Sequence, residues 1–336
     1  MDRTIVAIST AAGAGGIGIV RMSGKKCFDI LEKIFVPINN SDIKGYSIKY
    51  GKILDKDEVI DEVLVSYFVE PKSYTTENMV EINSHGGMVV MQKILKLCLE
   101  NGASMAEPGE FTKKAFLNGR IDLAQAEAVI DVINSKTEKE AKASVNQLEG
   151  ILSKNIKEIR NDLIEGLANI DVSIDYPEYD VEEVTNNQIM ELLNRNKNKL
   201  IKLEKSFENG KILRDGIKTS IIGRPNAGKS SLLNLLLKEE RAIVTEIEGT
   251  TRDTIEEFIS IEGIPFKLID TAGIRETEDK VEKIGVKKAI DIAKKSDLIL
   301  AIFDISKKLT DDDLKILEIL NNKNSIIILN KIDLEH

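Results

Sequence analysis

With 336 residues and 42% hydrophobic content the chain has room for two or three domains with their own cores, and a formal net charge of −9 argues against a surface that holds nucleic acid by charge alone. The two cysteines, Cys27 and Cys98, lie in apolar helical surroundings and form neither a disulfide framework nor a metal motif. No apolar run approaches membrane-spanning length and no signal peptide opens the chain, so a soluble, cytoplasmic protein with no membrane partner is expected.

In chain order, Gly13-Ala-Gly-Gly-Ile-Gly18 matches the dinucleotide fingerprint G-x-G-x-x-G in form. The residues that follow, Ile19 to Ser23, read as a strand rather than a helix, and no strand ending in an acid stands where a ribose contact belongs. A glycine-rich connection between two strands is therefore predicted. Short β-type runs such as Val63 to Val69 come next, then the helical pattern Met88 to Glu100. His85 has no cysteine or histidine cluster around it, which argues against a metal site.

Beyond Gly119 the period is helical for a long way, with no proline between Pro108 and Pro177 and apolar positions at Val129, Ile133, Leu148, Ile151, Ile159, Leu163 and Ile170. Tyr176-Pro177 interrupts it. A lysine-rich helical stretch, Asn187 to Leu213, then leads toward Asp215; glutamates interleave the lysines, so they read as a solvated face rather than a nucleic-acid surface.

The apolar run Ile217 to Ile222 ends in Gly223-Arg-Pro-Asn-Ala-Gly-Lys229-Ser230, which opens the leucine-rich helix Ser231 to Leu237. In G-x-x-x-x-G-K-[ST] the glycines let the backbone wrap an anion, and inward N–H groups add to the positive end of the helix. Lys229 is expected to reach the β and γ phosphates of a nucleotide, and Ser230 to hold Mg²⁺ by its hydroxyl.

Three further segments follow in order: Gly249-Thr250-Thr251-Arg252-Asp253, Asp270-Thr271-Ala272-Gly273, and Asn330-Lys331-Ile332-Asp333. Thr251 is a candidate second hydroxyl on the metal. Asp270, ending the run Phe266 to Ile269, is where a carboxylate near Mg²⁺ belongs, and Gly273 leaves room for its N–H to approach a γ-phosphate. The last segment closes the strand Ile326 to Leu329, which places Asp333 at the carboxyl edge of a parallel sheet beside the base. A carboxylate there accepts two N–H donors from guanine and none from the corresponding edge of adenine, so GTP is the expected nucleotide. Where Ras-type GTPases carry a glutamine that orients the attacking water, this chain has Ile274; the acids Glu276, Glu278, Asp279 and Glu282 are the nearby candidates for that task.

These residues carry a family resemblance. The phosphate loop through Ser231, Gly249 to Asp253, and Asp270-Thr-Ala-Gly-Ile-Arg-Glu-Thr277 with Val281-Glu282-Lys-Ile-Gly285 resemble the MnmE (TrmE) family of tRNA-modifying GTPases. So do Gly15 to Gly24, Glu81-Ile-Asn-Ser-His85-Gly-Gly87, Pro108 to Asn118 and Leu123 to Ala128. The resemblance implies a multidomain α+β and α/β chain: a folate-binding and dimerising α+β domain over 1–118, the first part of a discontinuous all-helical domain over 119–214, and a Ras-like P-loop G domain with a doubly wound sheet over 215–336.

It further implies GTP hydrolysis activated by potassium and by G-domain dimerisation. Asn226, Thr245, Ile247 and Thr250 would then bind K⁺, Ser230 and Thr251 would bind Mg²⁺, and Glu282 would be the catalytic acid. GTP would be held by Asn226, Ala227, Gly228, Lys229, Ser230, Ser231, the segment Thr245-Glu246-Ile247-Glu248-Gly249-Thr250-Thr251, Asp270 to Gly273, Asn330, Lys331 and Asp333. Arg21, Glu81 and Arg120 match the family's folate contacts, for 5-formyltetrahydrofolate or a related tetrahydrofolate. An arginine suits a folate's glutamate tail, and an acid suits pterin N–H groups. Partners implied are a second copy through the N-terminal domain, the flavin-containing MnmG in a heterotetramer, and tRNA, whose wobble uridine at position 34 would receive a carboxymethylaminomethyl group.

The chain stops soon after Asp333, without the further strand and helix of a G domain or the family's terminal Cys-(Ile/Leu/Val)-Gly-Lys. Leu334-Glu335-His336 resembles a vector and tag junction, so an N-terminal fragment with reduced nucleotide affinity is expected. Two other readings stay open at this point: a GTP switch of the ribosome-assembly type, as in the Era and Der families, and a folate-binding dimer module with an inert G domain.

Overall fold

The computed structural model describes residues 3–39, 42–43, 45–175, 186–239, 257–269, 293–321 and 323–334. The chain divides into two compact units, Met1–Val129 and Ile130–His336. No helix among the described residues is long and apolar enough to cross a membrane.

The first unit runs β1 (Ile5–Ile8), β2 (Gly15–Ser23), α1 (Cys27–Glu32), β3 (Phe35–Pro37), β4 (Tyr46–Asp55), β5 (Glu58–Phe68), β6 (Met79–Gly86), α2 (Met88–Glu100), β7 (Ser104–Met105) and α3 (Glu110–Leu117). The strands form one seven-stranded sheet in the order β3-β4-β5-β6-β2-β1-β7, antiparallel throughout except for the β1 and β7 pair. Period-2 alternation sends Val20 and Met22 of β2 and Ile82 of β6 into the core, and Arg21 and Glu81 to the opposite face. α2 buries Met91, Ile94, Leu97 and Cys98, a stripe at helical spacing that packs with α1 against the core face. Leu31, Ile53, Ile82 and Ile94 are fully buried, each worth about 1.5–3 kcal/mol relative to exposure.

The predicted strand at Ile19 to Ser23 is the second half of β2. The glycine segment before it already belongs to the sheet, with Gly15 opposite Gly86 and a register shift between Gly15 and Gly18. A Cβ on Gly86 would collide with the Gly15 carbonyl. From Gly15 on these glycines are strand residues that serve close backbone approach, so the predicted glycine-rich connection shrinks to residues 9–14, while the strand predicted after it, in place of a dinucleotide-binding helix, is present.

Helix α4 (Leu123–Asn134) crosses the division between the units, and α5 (Glu138–Leu148), α6 (Ile151–Asp175) and α7 (Asn186–Asp215) follow. Thr137 starts α5 as its N-cap: its hydroxyl accepts from the Glu140 N–H at 3.1 Å while the Glu140 carboxylate accepts from the Lys136 N–H at 2.7 Å. α6 and α7 pack on each other with Ile159 buried and Arg195 paired to Asp162 at 3.0 Å. Lys199 of the lysine-rich stretch also leans on Asp162, at 3.6 Å.

The second sheet comprises β8 (Ile217–Gly223), β9 (Glu257–Ile261), β10 (Ile264–Leu268), β11 (Leu298–Asp304) and β12 (Ser325–Asn330), with α8 (Lys229–Glu239) after β8 and α9 (Asp311–Leu320) between β11 and β12. Its order is β12-β11-β8-β10-β9, parallel except for the β9–β10 hairpin. The chain leaves β8 first toward β10 and returns on the other side as β11. β8 is thus the switch point of a doubly wound sheet, where the crevice at the carboxyl edge receives ligands. Ile221, Leu233, Ile259, Leu268 and Ile302 form the core on one side of this sheet. Ile222, Ala293, Ile299, Ala301, Phe303, Ile316 and Leu320 form it on the other.

Candidate functional site

The carboxyl ends of β8, β11 and β12 bring the phosphate loop and the Asn-Lys-Ile-Asp segment together. Asn330 Nδ2 donates to the Ala227 carbonyl at 2.8 Å. The approach is so close that a Cβ on Gly228 would overlap Asn330 Nδ2, and Gly228 itself sits at φ +108°, in the left-handed range. Asn226 turns the loop at φ 61°, a conformation asparagine tolerates better than most side chains. Ala227 is buried beneath the loop. The Lys229 ammonium donates to the Gly223 and Arg224 carbonyls at 2.8 and 2.7 Å, and its burial pulls its pKa below the usual lysine value.

Asp304 stands at the end of β11, opposite Asn330 in register, and organises the start of the Asn-Lys-Ile-Asp segment. Its Oδ2 accepts from Lys331 Nζ at 2.7 Å, and its Oδ1 from the Ser306 hydroxyl at 2.6 Å and N–H at 3.1 Å. The Lys331 bond first, and Ser306 next, hold the Asp304 carboxyl down at about 2. Behind the loop, Arg224 donates to Asp313 Oδ2 at 2.9 Å, the same oxygen that caps α9 through Thr310. Burial pushes the Asp313 carboxyl up, but the Thr310 N–H and Arg224 outweigh it and leave it below the ordinary aspartate value.

On the outer face of the first sheet, Arg21 and Glu81 stand directly opposite each other on β2 and β6. Arg21 reaches Glu81 Oε1 with Nε at 2.8 Å and Nη2 at 2.7 Å. Its guanidinium carbon lies 5.9 Å from the Tyr74 ring centroid and 5.6 Å from that of Phe111, and Arg120 lies 4.9 Å from the same Tyr74 ring. Two of the three folate candidates, Arg21 and Arg120, thus share the Tyr74 ring, and the third, Glu81, is joined to it through Arg21.

The family model described as "GTP-binding protein TrmE N-terminus" matches residues 4–120, and the "MnmE helical domain" model matches residues 123–332. The tRNA modification GTPase MnmE of Acetivibrio thermocellus is 56% identical over 336 residues, 99% of this chain and 73% of that protein. The chain belongs to the MnmE family of tRNA modification GTPases. Its counterpart in Finegoldia magna is 53% identical over 336 residues, 100% of this chain and 74% of that protein. Among solved structures, the G domain of the T. maritima FeoB iron transporter matches at 25% identity and TM-score 0.24, covering 35% of this chain and 73% of that one.

Of the residues expected to bind nucleotide in an MnmE-family chain, Asn226 to Ser231 and Asn330, Lys331 and Asp333 lie on the described carboxyl edge. Thr245, Glu246, Ile247, Glu248, Gly249, Thr250, Thr251, Asp270, Thr271, Ala272, Gly273 and the catalytic candidate Glu282 lie outside the described residues, as do Ile274, Glu276, Glu278 and Asp279. Among the described residues no group of three or more histidines, cysteines or acids is placed to hold a metal, and His85 instead faces Asp61, with Nδ1 2.7 Å from its Oδ1.

Sequence reading overlooked Asp304, Asp313, Tyr74 and Phe111. Asp304 had a signal, because it ends the apolar run Leu298 to Phe303 just as Asn330 ends the next. The others had none: Asp313 is 89 residues from Arg224, and Tyr74 meets Arg120 only through the fold.

Proposed function

We propose that this chain binds and hydrolyses GTP at the carboxyl edge of its second sheet in the service of wobble-uridine modification of tRNA at position 34, working with MnmG and a folate one-carbon donor. The observation that carries the reading is the Asn330 bond to the Ala227 carbonyl, which joins the phosphate loop to the base-reading segment. In this reading Lys229, drawn into the loop, exchanges its bonds to the Gly223 and Arg224 carbonyls for the β and γ phosphates, whose charge it offsets. Asp333 reads guanine by accepting its N–H donors, and Lys331, held by Asp304, flanks the base.

The loop is chemically suited to cations. Asn226 and Ser230 offer hard oxygen donors at the turn and at the start of α8, in a cradle already closed enough to exclude a side chain at Gly228. Ser230 with Thr251 would hold Mg²⁺, and Asn226 with Thr245, Ile247 and Thr250 would hold K⁺. The cations would supply positive charge for the phosphates, as an arginine finger does elsewhere. Glu282 would orient the attacking water that Ile274 cannot, and Ser231, Glu246, Glu248, Gly249 and Asp270 to Gly273 complete the nucleotide's surroundings. We assign Arg21, Glu81 and Arg120 to 5-formyltetrahydrofolate or a related tetrahydrofolate. The three-part division at 118/119 and 214/215, a homodimer through the N-terminal domain and a cytoplasmic location belong to the same reading.

The experiment is GTP hydrolysis in potassium against sodium buffer at matched ionic strength, with bound nucleotide quantified in the same samples. Potassium stimulation is expected. Equal turnover in the two salts would remove the role given to Asn226, and absence of bound GTP would overturn the site.

A further inference from the structure

We propose that Tyr74 is the specificity-determining residue of the N-terminal site: its ring holds the Arg120 guanidinium in place to receive the anionic tail of the ligand, while Arg21 is committed to Glu81. The inference rests on the folate reading above and deepens it.

The two arginines differ in their partners. Arg21 spends both Nε and Nη2 on Glu81 Oε1, in a pair that register places face to face on neighbouring strands. Its charge is already met. Arg120 is exposed and, among the described residues, no carboxylate pairs with it; its guanidinium lies 4.9 Å from the Tyr74 centroid. A guanidinium over an aromatic face keeps its N–H edge free for a bidentate carboxylate. Glu81, with both Arg21 bonds on Oε1, keeps Oε2 for N–H groups of a heterocycle.

Tyr74 can act as a platform because its own position is tied down. Its hydroxyl lies 2.9 Å from the Thr112 hydroxyl on α3. The next carbonyl, that of Thr75, accepts from Asn118 Nδ2 at 2.7 Å, and Ser73 bonds to the Glu77 carbonyl at 2.5 Å. Behind this loop the buried Lys114 donates to Glu77 at 2.7 Å and to the Arg3 carbonyl at 3.1 Å. The ring is thus fixed to α3 on one side and faces two guanidinium groups, so the ligand meets an arginine whose orientation is set before binding.

The test measures affinity of the full 336-residue chain for 5-formyltetrahydrofolate and for its glutamate diamide, which keeps the shape and removes both tail charges. The wild-type chain should prefer the acid by about tenfold or more, the size of one charge-assisted bidentate contact. Arg120→Ala should abolish the preference, Tyr74→Leu and Tyr74→Ala should reduce it to within about threefold, and Tyr74→Phe, which keeps the ring but loses its tie to Thr112, should retain most of it. Tyr74→Leu has nearly the bulk of the native residue and keeps the test decisive if the alanine variant loses the fold. A purely structural role would weaken acid and diamide alike and leave their ratio unchanged; that result, or a wild-type chain that binds both equally, overturns the inference while leaving a folate site in place. A wild-type chain that binds neither compound overturns the folate reading itself.

Discussion

Gly228 and Asn330, 102 positions apart, approach so closely that the α-carbon of one has no room for a side chain beside the amide nitrogen of the other. The phosphate loop and the Asn-Lys-Ile-Asp segment are therefore one mechanical piece, joined across the ends of β8, β11 and β12, and disturbance of either is felt by both.

Gly228→Ala consequently meets two penalties, a side chain at φ +108° and a collision with Asn330. Strain of this kind costs about 1–3 kcal/mol. The double variant Gly228→Ala with Asn330→Ala removes the collision but not the φ penalty. A fluorescent GTP analogue should bind Gly228→Ala about tenfold or more weakly than the unaltered chain. Because Asn330→Ala alone also weakens binding by removing the bond to Ala227, adding Gly228→Ala to Asn330→Ala should cost clearly less than adding it to the unaltered chain. Equal costs in the two backgrounds would show that the two residues do not meet in solution.

Asp333 is assigned to guanine by its place after β12. Asp333→Asn replaces an acceptor of two N–H groups with an amide, and should weaken GTP about tenfold to a hundredfold with little change for ATP. A competition titration with both nucleotides checks it; unchanged GTP affinity would mean that another group reads the base.

Glu282 is assigned through the family resemblance alone, as the residue that orients water in place of a glutamine. Glu282→Ala should leave GTP affinity within about threefold and slow single-turnover hydrolysis by about 10²–10⁴. Hydrolysis at the wild-type rate would return the task to Glu276, Glu278 or Asp279.

The Asp304 and Lys331 pair sets a pH dependence. The folded Asp304 carboxyl titrates near 2, below its unfolded value of about 3.9. Its stabilising contribution is therefore fully present above about pH 4 and is lost as pH falls toward 2. Carboxyl NMR should find this group still ionised at pH 3. In Lys331→Ala, which removes the largest cause of the depression, its midpoint should rise toward the ordinary aspartate value. A wild-type midpoint near 4 would mean that the ion pair does not persist in solution.

Local chemistry was legible along the chain. The P-loop sits between a strand and a helix as its glycines and following leucines require, α2 falls on the predicted Met88 to Glu100, and β12 ends in Asn330 where the apolar run ends. These features depend on residues within one turn or one strand of each other, where period and backbone conformation are set by neighbours. The three folate candidates were legible only through the family resemblance, since an arginine and a glutamate 60 positions apart carry no local sign of pairing.

By itself, then, the sequence determined the phosphate loop and the order of the nucleotide motifs, because glycine conformations and the spacing of apolar residues act over short range, and it carried the family through the resemblance of those motifs. Only the tertiary structure decided that Arg21 is committed to Glu81 while Arg120 leans on Tyr74, that Arg224 is anchored by Asp313, and that Lys331 is held by Asp304. Each of these pairs a charge with a partner on another strand, helix or loop. Such a partner is chosen by sheet register and strand order, which packing of the two cores sets and which no stretch of neighbouring residues contains.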